Sequence, residues 1–320
     1  MTSPSKQHSL NLQRRILVLV GPTASGKTPV AIDVARQINA EIISAYSRQM
    51  YKLMDIGTAK PSPEDLRQVK HYFVDDRFPD QNFNAAEFGI QGRTIIDEIL
   101  NRRKVPLVVG GSGLYIQGLI DGFFDDAEPD DELRSSLYDR IEREGSEKLL
   151  EELRSVDPAA ASTMLPSNKK RIVRALEVFH LTGQPISALQ RKTVTTNFNP
   201  VFVGLSWNRK KLYDRINRRV DRMIDEGLVE EAQMLKSRGY DPHLNALQTV
   251  GYKEAFEFLR GGITHKRMVD LIKQQTRRYA KRQLTWFRHD DRITWFPVED
   301  EPDFPIAAKW IVEHFFHQSN

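Results

Sequence analysis

The sequence predicts an α/β fold: a P-loop NTPase-like core on a parallel sheet, with a helical insertion domain. Three observations carry this. Short, wholly apolar runs alternate with amphipathic stretches of helical period in the first 120 residues. The first run ends in a glycine-rich turn that opens a helix. The strand signal then stops at Asp125 and returns only at Val201.

Element by element, Ile16-Leu17-Val18-Leu19-Val20 has the unbroken apolar character of a strand covered on both faces. A helix follows over 27–38, then a short strand at 41–44. Residues 85–101 read as a helix stopping before Pro106, and 106–109 as a third buried strand turned by Gly110-Gly111-Ser112-Gly113 into another helix. An acidic patch, 125–131, opens an amphipathic helical stretch to about Lys192, and 193–200 is polar and loop-like. Val201-Phe202-Val203-Gly204-Leu205 restores a core strand. Helices over 209–225, 228–238, 252–260 and 265–287, a strand at 292–296 and a last helix complete the core. The expected division is a polar tail over 1–14, a core over 15–124 and 199–320, and an insertion over 125–198.

Composition excludes several classes. The chain has 320 residues, enough for about two domains, and is 40% hydrophobic and 28% charged, which suits a packed core rather than disorder. No cysteine is present, so disulfides, thiolate zinc sites and cysteine nucleophiles are out. The histidines, His71 included, lack metal-ligand spacing. No apolar run reaches the roughly 18 residues of a membrane span, and the N-terminus has no signal-peptide core, so a cytoplasmic address without membrane partners is expected. The net charge of +4 is uneven: residues 1–165 carry 20 Lys+Arg against 25 Asp+Glu, residues 166–320 carry 27 against 18. A basic second half fits an anionic macromolecule.

Gly21-Pro22-Thr23-Ala24-Ser25-Gly26-Lys27-Thr28 fits G-x-x-x-x-G-K-[ST] between a predicted strand and a predicted helix. The glycines let backbone N–H groups face a diphosphate, the helix dipole favours the anion, Lys27 adds a point charge, and Thr28 can ligand Mg²⁺. The third strand ends in Val109-Gly110-Gly111, with no Asp at its tip for a second metal-site carboxylate. That weakens an ATPase reading and suits a diphosphate that is a leaving group. In 266–292, nine Lys/Arg face three Asp, and Ala280, Leu284 and Phe287 form an apolar stripe. Arg278 and Arg282 lie opposite the stripe, Arg277, Lys281 and Arg288 along its border, where they can meet RNA phosphates. Tyr279 and Trp286 could stack on bases, but aromatics at this spacing are more often core. Lys169, Lys170, Arg171 and Arg174 form a second basic cluster.

Further motifs follow in order: 55–61, Asp-Ile-Gly-Thr-Ala-Lys-Pro; 109–115, Val-Gly-Gly-Ser-Gly-Leu-Tyr; 171–178; 250–254, Val-Gly-Tyr-Lys-Glu; and 276–288, Thr-Arg-Arg-Tyr-Ala-Lys-Arg-Gln-Leu-Thr-Trp-Phe-Arg. With them the chain, from about Ile16 to Phe296, resembles the bacterial-type tRNA dimethylallyltransferases, the tRNA isopentenyltransferase family. The resemblance implies transfer of a dimethylallyl group from dimethylallyl diphosphate to N6 of an adenosine beside the tRNA anticodon, by a monomer using Mg²⁺. It implies diphosphate contacts at Gly21 to Thr28, with Thr23, Lys27 and Arg219 catalytic, and metal at Thr28. It implies tRNA contacts at Tyr46, Ser47, Arg48, Gln49, Ser112, Arg134, Lys170, Arg171, Ile172, Val173, Arg174, Arg277 and Lys281.

The chain departs from the family pattern in three places. Ser112 replaces a usual Thr and Leu53 a usual Gly. In Ser44-Ala45-Tyr46-Ser47-Arg48-Gln49, Tyr46 stands where the family has its Asp base. A phenol, ordinarily near pKa ~10, is a poor base at neutral pH. Either activity is impaired, or water or a diphosphate oxygen takes the proton, or the chain is a variant. Two other classes compete: a P-loop kinase of a small metabolite, and a non-catalytic tRNA-binding protein.

Overall fold

The computed structural model describes residues 14–123, 130–189 and 196–317. In chain order, β1 (Arg15–Val20), α1 (Lys27–Gln37), β2 (Ala40–Ala45), α2 (Pro63–Gln68), β3 (His71–Tyr72), α3 (Ala85–Asn101), β4 (Val105–Gly110) and α4 (Gly113–Ile120) come first. Next are α5 (Asp131–Glu144), α6 (Ser146–Val156), α7 (Pro158–Ala161), α8 (Lys169–Thr182) and α9 (Ile186–Leu189). The chain ends with β5 (Asn199–Trp207), α10 (Arg209–Asp225), α11 (Leu228–Ser237), α12 (Tyr252–Leu259), α13 (His265–Phe287), β6 (Ile293–Val298), a 3₁₀ turn and α14 (Phe304–His317). Two compact units result, one within 1–120 and 197–320, the other within 121–196.

The first unit is built on a six-stranded sheet in the order β3-β2-β4-β1-β5-β6, with every pairing parallel. The strands next to β1 lead away on opposite sides, so its C-terminal end is a switch point where a parallel sheet opens a crevice. Val20 of β1 lies level with Gly110 of β4 and Gly204 of β5. Gly110 is required by packing: a Cβ there would lie 2.2 Å from the Ala45 carbonyl oxygen. On one face, Val30, Val34 and Ile311 of the covering helices meet Leu17, Leu19 and Val203.

Glu41, buried on β2, joins three elements. Its carboxylate accepts from Tyr72 Oη at 2.7 Å, Arg102 at 2.8 Å and Lys104 Nζ at 2.9 Å. Burial alone would raise its pKa, but these partners bring it down from an ordinary 4.5 to about 2.

The second unit is helical. Leu149, Leu153, Ile172, Val173 and Leu176 are buried together in its core. Fully buried Glu177 is held by Arg134 and Arg174, each at 2.9 Å, and accepts from Asp130 N at 3.1 Å.

Several boundaries differ from expectation. The strand expected at 201–205 runs from Asn199 to Trp207, so the loop expected over 193–200 gives way to strand at its end. Expected strand 292–296 shifts to Ile293–Val298; Pro297 is tolerated because β6 is an edge strand. Two elements were not foreseen: α2, with a Ser62–Asp65 capping box, and the two-residue β3. The acidic patch falls outside the described residues except Asp130 and Asp131, and the expected tail except Arg14. Arg14 is ion-paired with Asp97 and donates to the Asn197 carbonyl at 2.6 Å. Leu53 keeps the left-handed turn its usual Gly would make, at φ 66°, a conformation costing a branched residue roughly 1 kcal/mol.

Glu41→Gln is expected to lower stability at pH 7 by about 1–3 kcal/mol. The lowered pKa contributes stability above pH ~4.5 that is lost as pH falls toward 2, so the gap to wild type should close over that window. Urea denaturation at both ends measures it; a gap unchanged with pH would contradict the assignment.

Candidate active site

The turn 21–26 wraps the end of β1, and α1 begins at Lys27. Gly26 is left-handed at φ 85°, and a Cβ on it would lie 2.1 Å from the Phe304 ring. Ala24 shares the left-handed region at φ 64°, where a Cβ is strained. Its carbonyl accepts from Arg215 Nε at 2.9 Å. Arg215 in turn stacks on Trp207 at 4.5 Å and Phe304 at 5.4 Å and is ion-paired with Glu301. Trp207 Nε1 donates to the Ser25 carbonyl at 3.0 Å. Gln283 spans the crevice, accepting from Thr23 N and donating to the Gly111 carbonyl, both at 2.8 Å. The loop is thus braced from β5, α10, α13 and α14, while the first N–H groups of α1 lack intrahelical acceptors. That is the geometry of an anion cradle.

Lys27 is buried, and its ammonium folds back to donate to the carbonyls of Gly21 at 2.9 Å and Pro22 at 2.6 Å. Burial, and secondarily the Arg219 charge, lower its pKa to about 7. Arg219 Nη1 donates to Thr23 Oγ1 at 3.3 Å. Tyr46, half-buried at the end of β2, lays its ring 5.6 Å from Lys27 Nζ and hydrogen-bonds Thr28. Burial pushes its phenol well above the ordinary value, more than the Arg219 charge pulls it down, so Tyr46 is neutral and not a base.

The segment after Tyr46 forms the facing wall. Ser47 N donates to Ser112 Oγ at 3.1 Å, and Ser112 also pairs with Tyr279. Arg48 reaches Asn245 at 3.4 Å. Gln49 Nε2 donates to the carbonyls of Thr58 at 3.3 Å and Ala59 at 2.9 Å. One cleft of about 1860 Å³ is lined by Thr23 to Thr28, by Tyr46 to Gln49, and by Ser112 and Arg219. Gly21 and Pro22 support it through the Lys27 hydrogen bonds.

Other expected site residues lie elsewhere. Arg277 donates to Asn217 Oδ1 at 2.6 Å instead of reaching across the cleft. Lys281 borders a separate hollow beside Trp286, which is 48% exposed and so is not the core residue its spacing favoured. Arg134 and Arg174 serve the buried Glu177 of the second unit, and Arg171 reaches Thr163 Oγ1 at 3.4 Å. Ile172 and Val173 correct the expectation: both are buried in that unit's core, because they lie on the apolar face of α8. Any side-chain contact with RNA on that turn falls to Lys170 and Arg171, which are exposed, and Arg174. Among the described residues, no group of three His, Cys, Asp or Glu is placed to hold a metal.

Gln283 and Arg215 were not foreseen from the sequence. Gln283 had a signal, since Ala280, Gln283, Leu284 and Phe287 keep i, i+3, i+4, i+7 spacing and a polar residue on that face needs a buried partner. Arg215 had none, because its partners lie in three remote segments.

The family model for IPP transferase matches residues 49–290. The tRNA dimethylallyltransferase of Thermoanaerobacter sp. (strain X514) is 44% identical over 311 residues, 96% of this chain and 99% of the relative. That of Acetivibrio thermocellus is 46% identical over 288 residues, 89% of this chain and 92% of the relative. The crystal structure of the full-length tRNA isopentenylpyrophosphate transferase of Bacillus halodurans superposes with a TM-score of 0.71 at 38% identity, covering 96% of this chain and 98% of that one. A eukaryotic dimethylallyltransferase, with a TM-score of 0.78 at 24% identity over 93% of this chain and 78% of that one, is alike in fold.

A bound anion favours the charged form of Lys27 and raises its pKa, so diphosphate binding at pH 8 should draw a proton from the buffer. Calorimetry in two buffers of different ionisation enthalpy should read an uptake of about 0.5–1 proton, absent in Lys27→Ala. A buffer-independent enthalpy in the wild type would contradict the Lys27 assignment.

Proposed function

The chain belongs to the IPP transferase family, and from that premise we propose that it is a tRNA prenyltransferase. It moves a dimethylallyl group from dimethylallyl diphosphate to N6 of the adenosine next to the anticodon, position 37, and releases diphosphate. The observation that carries the reading is the single cleft shared by the phosphate loop, Arg219 and the wall 46–49 with Ser112. A leaving diphosphate and a nucleophilic base have to meet in one place, and this cleft offers cations on one side and RNA-facing polar groups on the other. The metabolite-kinase alternative draws no support from the relatives.

The adenine leaves its stack to present N6. The N6 lone pair attacks C1, the C1–O bond breaks, and its electron pair departs with the diphosphate. Charge therefore accumulates on diphosphate oxygens, where the α1 amides, Lys27, Arg219 and Thr23 stabilise it. Thr28 would hold a Mg²⁺ ion through its hydroxyl, and the ion would add positive charge where the leaving group forms. The N6 proton passes to water or a diphosphate oxygen, since the raised pKa of Tyr46 keeps it a hydrogen-bond donor. The tRNA contacts extend to Lys170, Arg171 and Lys281, exposed cations suited to phosphates. The enzyme works as a monomer in the cytoplasm.

Mass spectrometry of an anticodon stem-loop incubated with dimethylallyl diphosphate tests the reaction: one added C₅H₈ supports it, and an unmodified adenosine under binding conditions refutes it. Lys27→Ala should lower the single-turnover rate by about 10²–10³-fold with the fold intact. Tyr46→Asp should raise it by up to about 10²–10⁴-fold, because a carboxylate beside Lys27 and Arg219 stays ionised and accepts the N6 proton. If the Asp variant is no faster than wild type and Tyr46→Phe is near neutral, Tyr46 is not a vacated base position.

A further inference from the structure

Glu231 of α11 and Tyr252 of α12 belong to no part of the chemistry described above, yet both are buried behind the cleft wall. The Glu231 carboxylate accepts four hydrogen bonds. Oε2 takes the backbone N–H of Asp55 at 2.8 Å and Ile56 at 2.9 Å; Oε1 takes that of Gly57 at 3.0 Å and the Tyr252 hydroxyl at 2.6 Å. Three successive amides aimed at one carboxylate form an anion-binding nest, here filled by the protein's own side chain. Charge-assisted hydrogen bonds of this kind are short and directional, so they set the rotation of the loop as well as its position. Tyr252 also closes over the loop: a Cβ on Gly57 would lie 2.4 Å from its ring.

The far side of the same loop meets the cleft. Thr58 Oγ1 donates to the Met54 carbonyl at 2.6 Å, and Ala59 N to the Ile56 carbonyl at 3.0 Å, so the loop is a tight unit. Its Thr58 and Ala59 carbonyls receive both Gln49 hydrogen bonds. Glu231 is thereby linked through loop 55–59 to the end of the 46–49 wall. The phosphate loop is braced by other groups, Gln283, Trp207 and Arg215. Glu231 and Tyr252 thus anchor the 55–59 side, and of the phosphate-loop braces Gln283 also reaches the other half, at the Gly111 carbonyl.

We propose that Glu231 and Tyr252 are positioning residues for the nucleic-acid side of the cleft, holding loop 55–59 and, through Gln49, the 46–49 wall in register for tRNA. This rests on the prenyltransferase reading, in which that wall faces the anticodon loop. Neither residue touches substrate; both act through Gln49.

The test compares wild type, Glu231→Gln and Tyr252→Phe in three measurements: amide hydrogen exchange over 55–57, the Kd of an anticodon stem-loop, and the Kd of dimethylallyl diphosphate. Exchange over 55–57 should accelerate, stem-loop binding should weaken about 3- to 30-fold, and diphosphate binding should stay within twofold. Tyr252→Phe removes one hydroxyl and keeps the test available where Glu231→Gln does not fold. Faster exchange with unchanged stem-loop affinity would reduce the pair to a structural anchor and overturn the proposal. Equal loss of both affinities would overturn it as well. Stem-loop binding is read without turnover, so an absence of prenylation would sink the functional reading while the two affinities still decide the role of Glu231 and Tyr252.

Discussion

An ammonium withdrawn from water and held by two carbonyl oxygens is the constraint on which this molecule turns. Lys27 is buried, its partners at Gly21 and Pro22 are neutral, and the nearest strong charge, Arg219, is positive. Neutral acceptors do not offset the desolvation of a cation as a carboxylate would, which is why the Lys27 pKa falls to about 7. An anion in the crevice would offset the desolvation and the repulsion together. On the proposed function, this uncompensated burial favours the binding of a diphosphate.

The fold holds that arrangement in place. A parallel sheet with its switch point at β1 opens a crevice there, but the crevice holds its shape only if the loop cannot collapse onto Lys27. Gln283, Trp207 and Arg215, the last backed by Phe304 and Glu301, brace the loop at Thr23 N and at the Ser25 and Ala24 carbonyls. On the opposite wall, Ser112, Gln49 and Arg48 are held by backbone and side-chain partners of their own. Tyr46 sits where the two systems meet and is neutral, so the positive charge on the diphosphate side is not cancelled from the wall.

Much of this was legible in the sequence because local pattern carries it. The apolar runs ending at Val20 and Val109 and the glycines around them placed the strands and the phosphate loop. What stayed hidden depends on long-range contacts or short elements. A two-residue strand such as β3 has no periodicity to read. Helix α2 is six residues long, and only its Ser62–Asp65 box announces it. Glu231 looks like any acidic residue early in a helix until the fold brings residues 55–57 to it. Ile172 and Val173 show the converse: a motif marks a stretch of chain, while helical period decides which side chains in it face solvent.

On the proposed function, Lys27 rests on its own loop and is drawn away by the diphosphate. A crystal structure of the chain with dimethylallyl diphosphate, or with diphosphate alone, tests it directly. Phosphate oxygens should lie against the first amides of α1, with Lys27 Nζ moved off the Gly21 and Pro22 carbonyls and onto the anion. An anion bound elsewhere in the cleft, or one bound at α1 with Lys27 still on both carbonyls, would contradict it.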